Sequence, residues 1–351
     1  MTQIEINPAQ LTNAALGLDR FVVPDLEEAA RKVAAGYRVD LPGFGALLSF
    51  AEGYYNSVGD YQLRNLETAA QVVQAVAAGL RKTVGNYHAA EQANVEMFRV
   101  PGTGEPEGYL EGLRDSGFAR LFHDPLGGVD GLGEQAAEVL SVATQTSFVA
   151  LAFATAAMAP DYLPAPLTAE ALVANGFSII EAARELSAVA STLEGSVIRK
   201  FDGYANAATA GWVDSSVIGY RNVVAEVSRE LGQVQKAIAA MSASLVAVVS
   251  LLAAFWSAFI AFTAEFFVTI LDLTLSSIGP QAAVLQPIIQ ALGALASASW
   301  LTAAGTVISV VVAGIALLSG VVKEFVGVQR FDEQGDGTPD LQQVPVAWHS
   351  I

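Results

Sequence analysis

The chain contains no cysteine. That excludes disulfides, thiolate catalysis and zinc sites built on cysteine. It fits an exported protein that folds without cross-links and a cytosolic one equally well. Histidine is nearly as scarce: His88, His123 and His349 are the three in the sequence, far apart and without a second ligand at metal spacing. Positive charge is limited and uneven. Of 18 Lys and Arg residues, only Lys323 and Arg330 follow Lys236, and the net charge is −17. Nucleic-acid partners need a basic face, so none is expected. Electrostatic attraction to anionic lipid is equally disfavoured. The opening MTQIEINPAQLTNAALG has neither the basic start nor the apolar core of a general secretory signal, so any export is expected to use another route. No Gly-x-Ser-x-Gly, His-Glu-x-x-His, P-loop or dinucleotide fingerprint occurs. The glycine-rich piece 127–133 has no Lys-Ser/Thr after it to cradle phosphate. The expectation is a chain with no catalytic residues, no cofactor and no enzymatic activity.

What the chain has is apolar length. Hydrophobic residues make up 53% of it, concentrated between Ala237 and Val322. Only Glu265 and Asp272 carry charge there. Residues 245–264 and 301–322 are uncharged runs, each long enough at about 1.5 Å per residue to span roughly 30 Å of hydrocarbon. Gly279-Pro280 and Pro287 lie between them. The pattern predicts a hydrophobic helical hairpin able to enter a bilayer; the alternative is a helix pair buried in a large all-helical protein. Three helices are expected across this region: one from Asp214 to about Leu275, a middle piece over 281–299, and a last one from Trp300 to about Val328. Trp256, Trp300 and the Phe residues at 255, 259, 262, 266 and 267 suit either a bilayer interface or a packed interior. Glu265 and Asp272, seven residues apart, share a helix face. Acids in such a helix suggest a polar lumen, a protonation step or simply the end of the span.

Upstream, periodicity predicts helices throughout. Asn7 is a candidate cap with Pro8 at the first helical position. Leu11, Ala14, Ala15 and Leu18 form a stripe to about Ala35, and Pro24 is expected to kink or split the helix. After a turn-rich section at 36–53, a long helix is expected from about Tyr54 to Phe98, with Leu63, Leu66, Ala70, Val73, Ala77 and Leu80 on one face. A loop-rich connector follows, with an apolar helix over 134–158 and a hinge at Pro160, Pro164 and Pro166. A second helical unit is expected from Thr168, bending near Asn206–Asp214 beside Trp212. One ion motif occurs in the tail. Asp332, Gln334, Asp336 and Asp340 take positions one, three, five and nine of an EF-hand-type calcium loop, with Gly337 at six. Position twelve is Gln343, position eight is Pro339, and no exiting helix follows, so a solvated acidic tail is the favoured reading.

The first hundred residues resemble the WXG100 family of type VII (ESX) secretion substrates of actinobacteria. The resemblance rests on Ile4-x-Ile6-Asn7-Pro8 with Leu11, and on two long helices joined by a short bend. Phe44-Gly45 stands where the family carries its aromatic-glycine bend; no Trp-x-Gly is present. Tyr87-x-x-x-Glu91, late in the second helix, matches the family's export signal. The resemblance implies a helical hairpin, the type VII machinery as a partner, and a secreted or cell-surface location on a bacterium. The resulting expectation is an all-α protein: a hairpin over 1–100, a connector over 101–166, a second hairpin over 167–236, a hydrophobic hairpin over 237–328 and an acidic tail over 329–351. Its expected role is insertion in, or assembly at, a lipid membrane as a homo-oligomer, pore formation included. The alternative is a non-inserting helical scaffold of a secretion system.

Overall fold

Asn7 opens the first helix. Its side-chain oxygen accepts from the Gln10 backbone N–H at 3.3 Å, and Pro8 follows in the first turn, where a missing donor has no intrahelical partner to lose. The computed structural model describes residues 7–39, 43–89, 138–210, 212, 216–276, 285–302 and 305. Among these residues every regular element is helical.

The helix expected over the first thirty-five residues is continuous but not uniform. It comprises α1 (Pro8–Gly17), a π turn (Leu18–Val22) and α2 (Val23–Gly36). Pro24 therefore does not split it. A proline lacks the donor for the carbonyl four residues back and its ring crowds that carbonyl. The π turn relieves both problems by widening the helix just ahead of it, with the Val23 N–H reaching Leu18 O. The bend follows, with Gly43 at φ 60° and Gly45 at φ 84°, left-handed values that favour glycine. After a 3₁₀ turn (Ala46–Leu48), α3 (Ser49–Ala89) runs back along α1 and α2. It begins at Ser49, earlier than the Tyr54 expected from periodicity. Leu66, Ala70, Val73, Ala77 and Leu80 are buried against Leu11, Leu18, Leu26 and their neighbours, and Asp19 pairs with Arg81 across the hairpin.

The connector contributes α4 (Val142–Met158), a 3₁₀ turn (Pro160–Tyr162) and α5 (Pro164–Glu170). Of the helix predicted over 134–158, residues 138 and 139 are helical, the chain turns at Leu140, and α4 begins at Val142. Ser141 holds extended backbone and its hydroxyl accepts from Thr144 N at 3.1 Å, which fixes the boundary. The prolines read as a hinge are helix starters: Pro160 opens the 3₁₀ turn and Pro164 opens α5.

A second hairpin follows. Its first arm is α6 (Gly176–Thr192), a π turn (Leu193–Ile198) and α7 (Arg199–Ala208); its second is α8 (Ser216–Ser276). The unit starts at Asn175, whose side chain accepts from Ser178 N at 3.1 Å, and not at Thr168. Thr168 lies inside α5 and donates its hydroxyl to Pro164 O at 2.7 Å. Trp212 is buried at the bend, 5.4 Å from the Tyr220 ring. Residues 285–302 form one more helix, α9, which runs through Trp300. The break expected at Ser299 is absent because ALASASWLTA contains no residue that stops a helix.

The hairpins pair into a four-helix bundle. α1 lies on α7 and α2 on α6, so the two leading arms run antiparallel, and α3 packs beside α8. Phe21 stacks on Tyr204 at 6.0 Å between the leading arms. Asp25 accepts from Lys200 at 2.7 Å and Ser196 at 3.3 Å across the same seam. At 61 residues, α8 is about 90 Å long. The Ser242 hydroxyl donates to Ala183 O at 2.7 Å, midway along α6, and Leu245, Val246, Val249 and Leu252 continue the buried core. Past Trp256, which reaches Leu172 just ahead of α6, α8 overhangs the bundle.

Candidate functional site

The overhang is the apolar end of α8. It contains the second part of the uncharged run 245–264, and α8 is the one helix among the described residues long and apolar enough to cross a membrane. Half of its most apolar window is buried. Four of its hydroxyls are satisfied within the helix: Ser244, Ser250, Thr269 and Thr274 each donate to the carbonyl four residues back, at 2.7–3.0 Å.

One face of the overhang is covered by the segment from α4 to α5. Trp256 is fully buried and its indole N–H donates to Leu172 O at 3.2 Å. The Tyr162 and Thr263 hydroxyls share a hydrogen bond at 3.2 Å, both residues fully buried. The Tyr162 ring lies 4.6 Å from Phe266 and 6.4 Å from Phe262. Burial pushes the Tyr162 phenol above its ordinary value, with the Thr263 bond pulling the other way.

A second face is covered by α9, which returns antiparallel. Trp300 is buried edge-on to Phe255 at 5.4 Å and Phe259 at 5.1 Å, and tilted against Phe262 at 5.7 Å. Its indole N–H is buried without an acceptor. The aromatic residues offered to a bilayer interface by the sequence therefore form the packed interior of this end of the molecule, apart from the half-buried Phe262, Phe266 and Phe267. α9 touches the cover directly: Ser297 donates to Asp161 O, and Gly293 lies against Ala159.

The remaining face is open to solvent. Ala254, Ser257, Ala258 and Ala261 are exposed along it. Beyond them Glu265 and Asp272 are exposed on the same stripe as Val268 and Leu275. The two acids thus lie together on the outer surface, past the uncharged run, and face no lumen in this state. Leu271, Ile288, Leu295 and Leu301 add further exposed apolar surface.

The other sequence candidates fall elsewhere. Phe44 is buried edge-on to Tyr55 at 5.8 Å. Gly45 abuts Val173 O, where a side chain would collide, and Gly43 O accepts from Asn175 N at 3.0 Å. The first bend is therefore docked on the link between cover and second hairpin. Tyr87 lies in the last turns of α3. Glu91, the tail residues Asp332, Gln334, Asp336 and Asp340, and most of 301–322 lie outside the described residues. Among the described residues no group of acidic or histidine side chains gathers to hold a metal ion.

Sequence reasoning missed the cover as part of this site. Its one signal was Tyr162, a lone aromatic among prolines and alanines. In comparisons with known proteins, no family model, no curated relative and no solved structure matches this chain.

Proposed function

We propose that this chain is a type VII-like exported helical protein that acts at a membrane, inserting or assembling there through the apolar end of α8 and the helix that returns along it. The observation that carries the reading is the position of the uncharged run 245–264. Its first part, through Leu252 and Ala253, completes the bundle core, while its second part, past Trp256, overhangs the bundle and can change partners without dismantling that core. The exposed Val268, Leu271, Leu275, Leu295 and Leu301 nearby supply the apolar surface through which copies would meet each other or lipid. With a net charge of −17, entry would be driven by apolar burial and not by attraction to anionic headgroups. Export through the type VII machinery is supported by the Ile4-x-Ile6-Asn7-Pro8 start, the hairpin bend at Phe44-Gly45 and Tyr87 late in α3.

The test uses Ala258, which is exposed. Ala258→Arg leaves the water-soluble fold intact, yet at mid-span costs about 2.5–3.5 kcal/mol of insertion free energy. Wild type should float with liposomes and release entrapped dye, and the Arg variant should lose both. Undiminished binding by the variant would show that the run is an interior element only. Export is tested separately: Tyr87→Ala and Glu91→Ala should accumulate inside the cell at normal expression, and normal secretion of both sinks that part.

A second reading is a non-inserting scaffold. The buried Trp256, with its indole N–H satisfied by Leu172 O, favours it, because that arrangement completes a soluble interior. Failure of wild type to bind any vesicle would select it.

A further inference from the structure

We propose that the segment from Val142 to Leu172 is a built-in cover that holds the apolar end of α8 in its water-soluble state and must lift before that end can enter lipid; this rests on the membrane reading above.

Three features support it. First, the ends of the segment are tied to each other. The fully buried Gln145 donates to Leu140 O at 3.0 Å and accepts from Ala174 N at 2.9 Å, and Gly176 packs directly on Leu140. A segment whose start and finish are clipped together can move as one piece without pulling on the helices before and after it. The clip also joins the first turn of α6, so it belongs to the bundle and stays behind as the hinge.

Second, the cover's polar fastenings all fall on the candidate membrane element. Leu172 O takes the Trp256 indole, Tyr162 meets Thr263, and Asp161 O takes the Ser297 hydroxyl. The bundle helices hold one another by separate seams, such as Asp25 with Lys200. Lifting the cover breaks three hydrogen bonds and the Tyr162–Phe266 contact, and leaves those seams in place.

Third, the cover hides what a bilayer would otherwise receive. Beneath it lie Trp256 and Thr263, both fully buried, on a helix whose opposite stripe is Ala and Ser. With the cover closed, the face that residues 254–261 offer to lipid is the small-residue one, which adds little apolar area to that of Val268, Leu271 and Leu275 beyond it. With the cover lifted, the aromatic face is released.

The absence of cysteine makes a clean test possible. A β-carbon at Gly293 would sit 3.2 Å from that of Ala159, close to the spacing of about 3.8 Å across a disulfide. The variant Ala159→Cys with Gly293→Cys therefore carries one possible intramolecular bond, which locks the cover to α9. Vesicles of zwitterionic lipid report dye release. Hydrogen exchange of residues 250–264, measured without lipid, reports opening of the cover. The reduced variant serves as the folding control by its melting temperature.

The expected result is at least tenfold slower dye release from the oxidised form, restoration to wild-type rate on reduction, and slower exchange at 250–264 when oxidised. Dye release by the oxidised form at the rate of the reduced form would overturn the inference while leaving the membrane reading standing. Wild type and reduced variant both failing to act on vesicles would overturn the membrane reading itself, and the inference with it. Exchange at 250–264 indifferent to oxidation would overturn the cover whatever the vesicles show.

Discussion

The indole N–H of Trp256 donates to the carbonyl of Leu172 across 84 positions of sequence. This bond joins the overhanging helix to the last residue of the segment that covers it. Trp256→Phe keeps a ring in the site but leaves the Leu172 carbonyl without its donor. The expected cost is about 1–3 kcal/mol of folding stability, seen as a lower denaturant midpoint with an unchanged slope. An unchanged midpoint would mean that water replaces the indole there, and that the fastening is weaker than its burial implies.

Two helical glycines should respond to alanine with opposite signs. A β-carbon at Gly17 would run into the ring of Tyr204, whereas one at Gly232 would meet nothing within 4 Å. Gly232→Ala should therefore gain about 0.5–1 kcal/mol from helix propensity. Gly17→Ala should lose about 1–3 kcal/mol through overpacking at the seam between the leading arms. Thermal melts of the two variants decide the matter; stabilisation by both would show that Tyr204 moves aside freely.

Alkaline pH should unfold the protein from its tyrosines. Burial raises the phenols of Tyr55, Tyr162 and Tyr220 above their ordinary value. The folded state then holds these protons more tightly than the unfolded state. The stability involved is fully present below the unfolded phenol's value of about 10 and is lost as pH rises from there through the folded values. Tyrosinate absorbance should appear in step with loss of helical circular dichroism. Smooth ionisation of all nine tyrosines while the helices persist would contradict the burial described.

Removing the two acids of the outer stripe should favour lipid. Glu265 and Asp272 are exposed and immediately follow the uncharged run, so their charge limits how far α8 can sink. Glu265→Gln with Asp272→Asn should raise partitioning into vesicles at neutral pH severalfold, while the melting temperature stays within a degree or two of wild type. Equal partitioning would place both acids outside the membrane in the bound state.

Much of the helical architecture is legible in the residues. Leu66, Ala70, Val73, Ala77 and Leu80 announce the buried face of α3 by spacing alone, and Asn7-Pro8 announces the start of α1. The π turns were legible too, but in a signal that uniform helical periodicity overlooks. Leu18, Val22 and Leu26 follow one another at steps of four, as do Leu193, Val197, Phe201 and Ala205, and all seven are buried. Each four-residue step overshoots a 3.6-residue turn by about 40°. A stripe built from such steps walks off the core unless a wider turn brings it back, and both π turns sit where the steps of four occur. The cover was not legible, because its partners lie far away in sequence: Tyr162 and Thr263 are 101 positions apart. A proline-rich stretch offers no periodicity from which such a pairing could be read.

The unbroken course of α8 has a mechanical consequence. No proline or bend among residues 216–276 separates the part inside the bundle from the part that overhangs it. A membrane-embedded 245–264 would therefore keep its direction through the bundle, which would stand on the bilayer as a stalk and not lie flat along it. The 29 residues from Ser216 to Ser244 would lift the Trp212 bend about 45 Å above the lipid surface. The bend at Gly43–Gly45 abuts Leu172 and Val173, level with Trp256 in mid-run, so it would have to part from α8 for the run to embed fully. A ring of such molecules would touch through the sides of their bundles, and its height above the membrane would be set by the length of one helix.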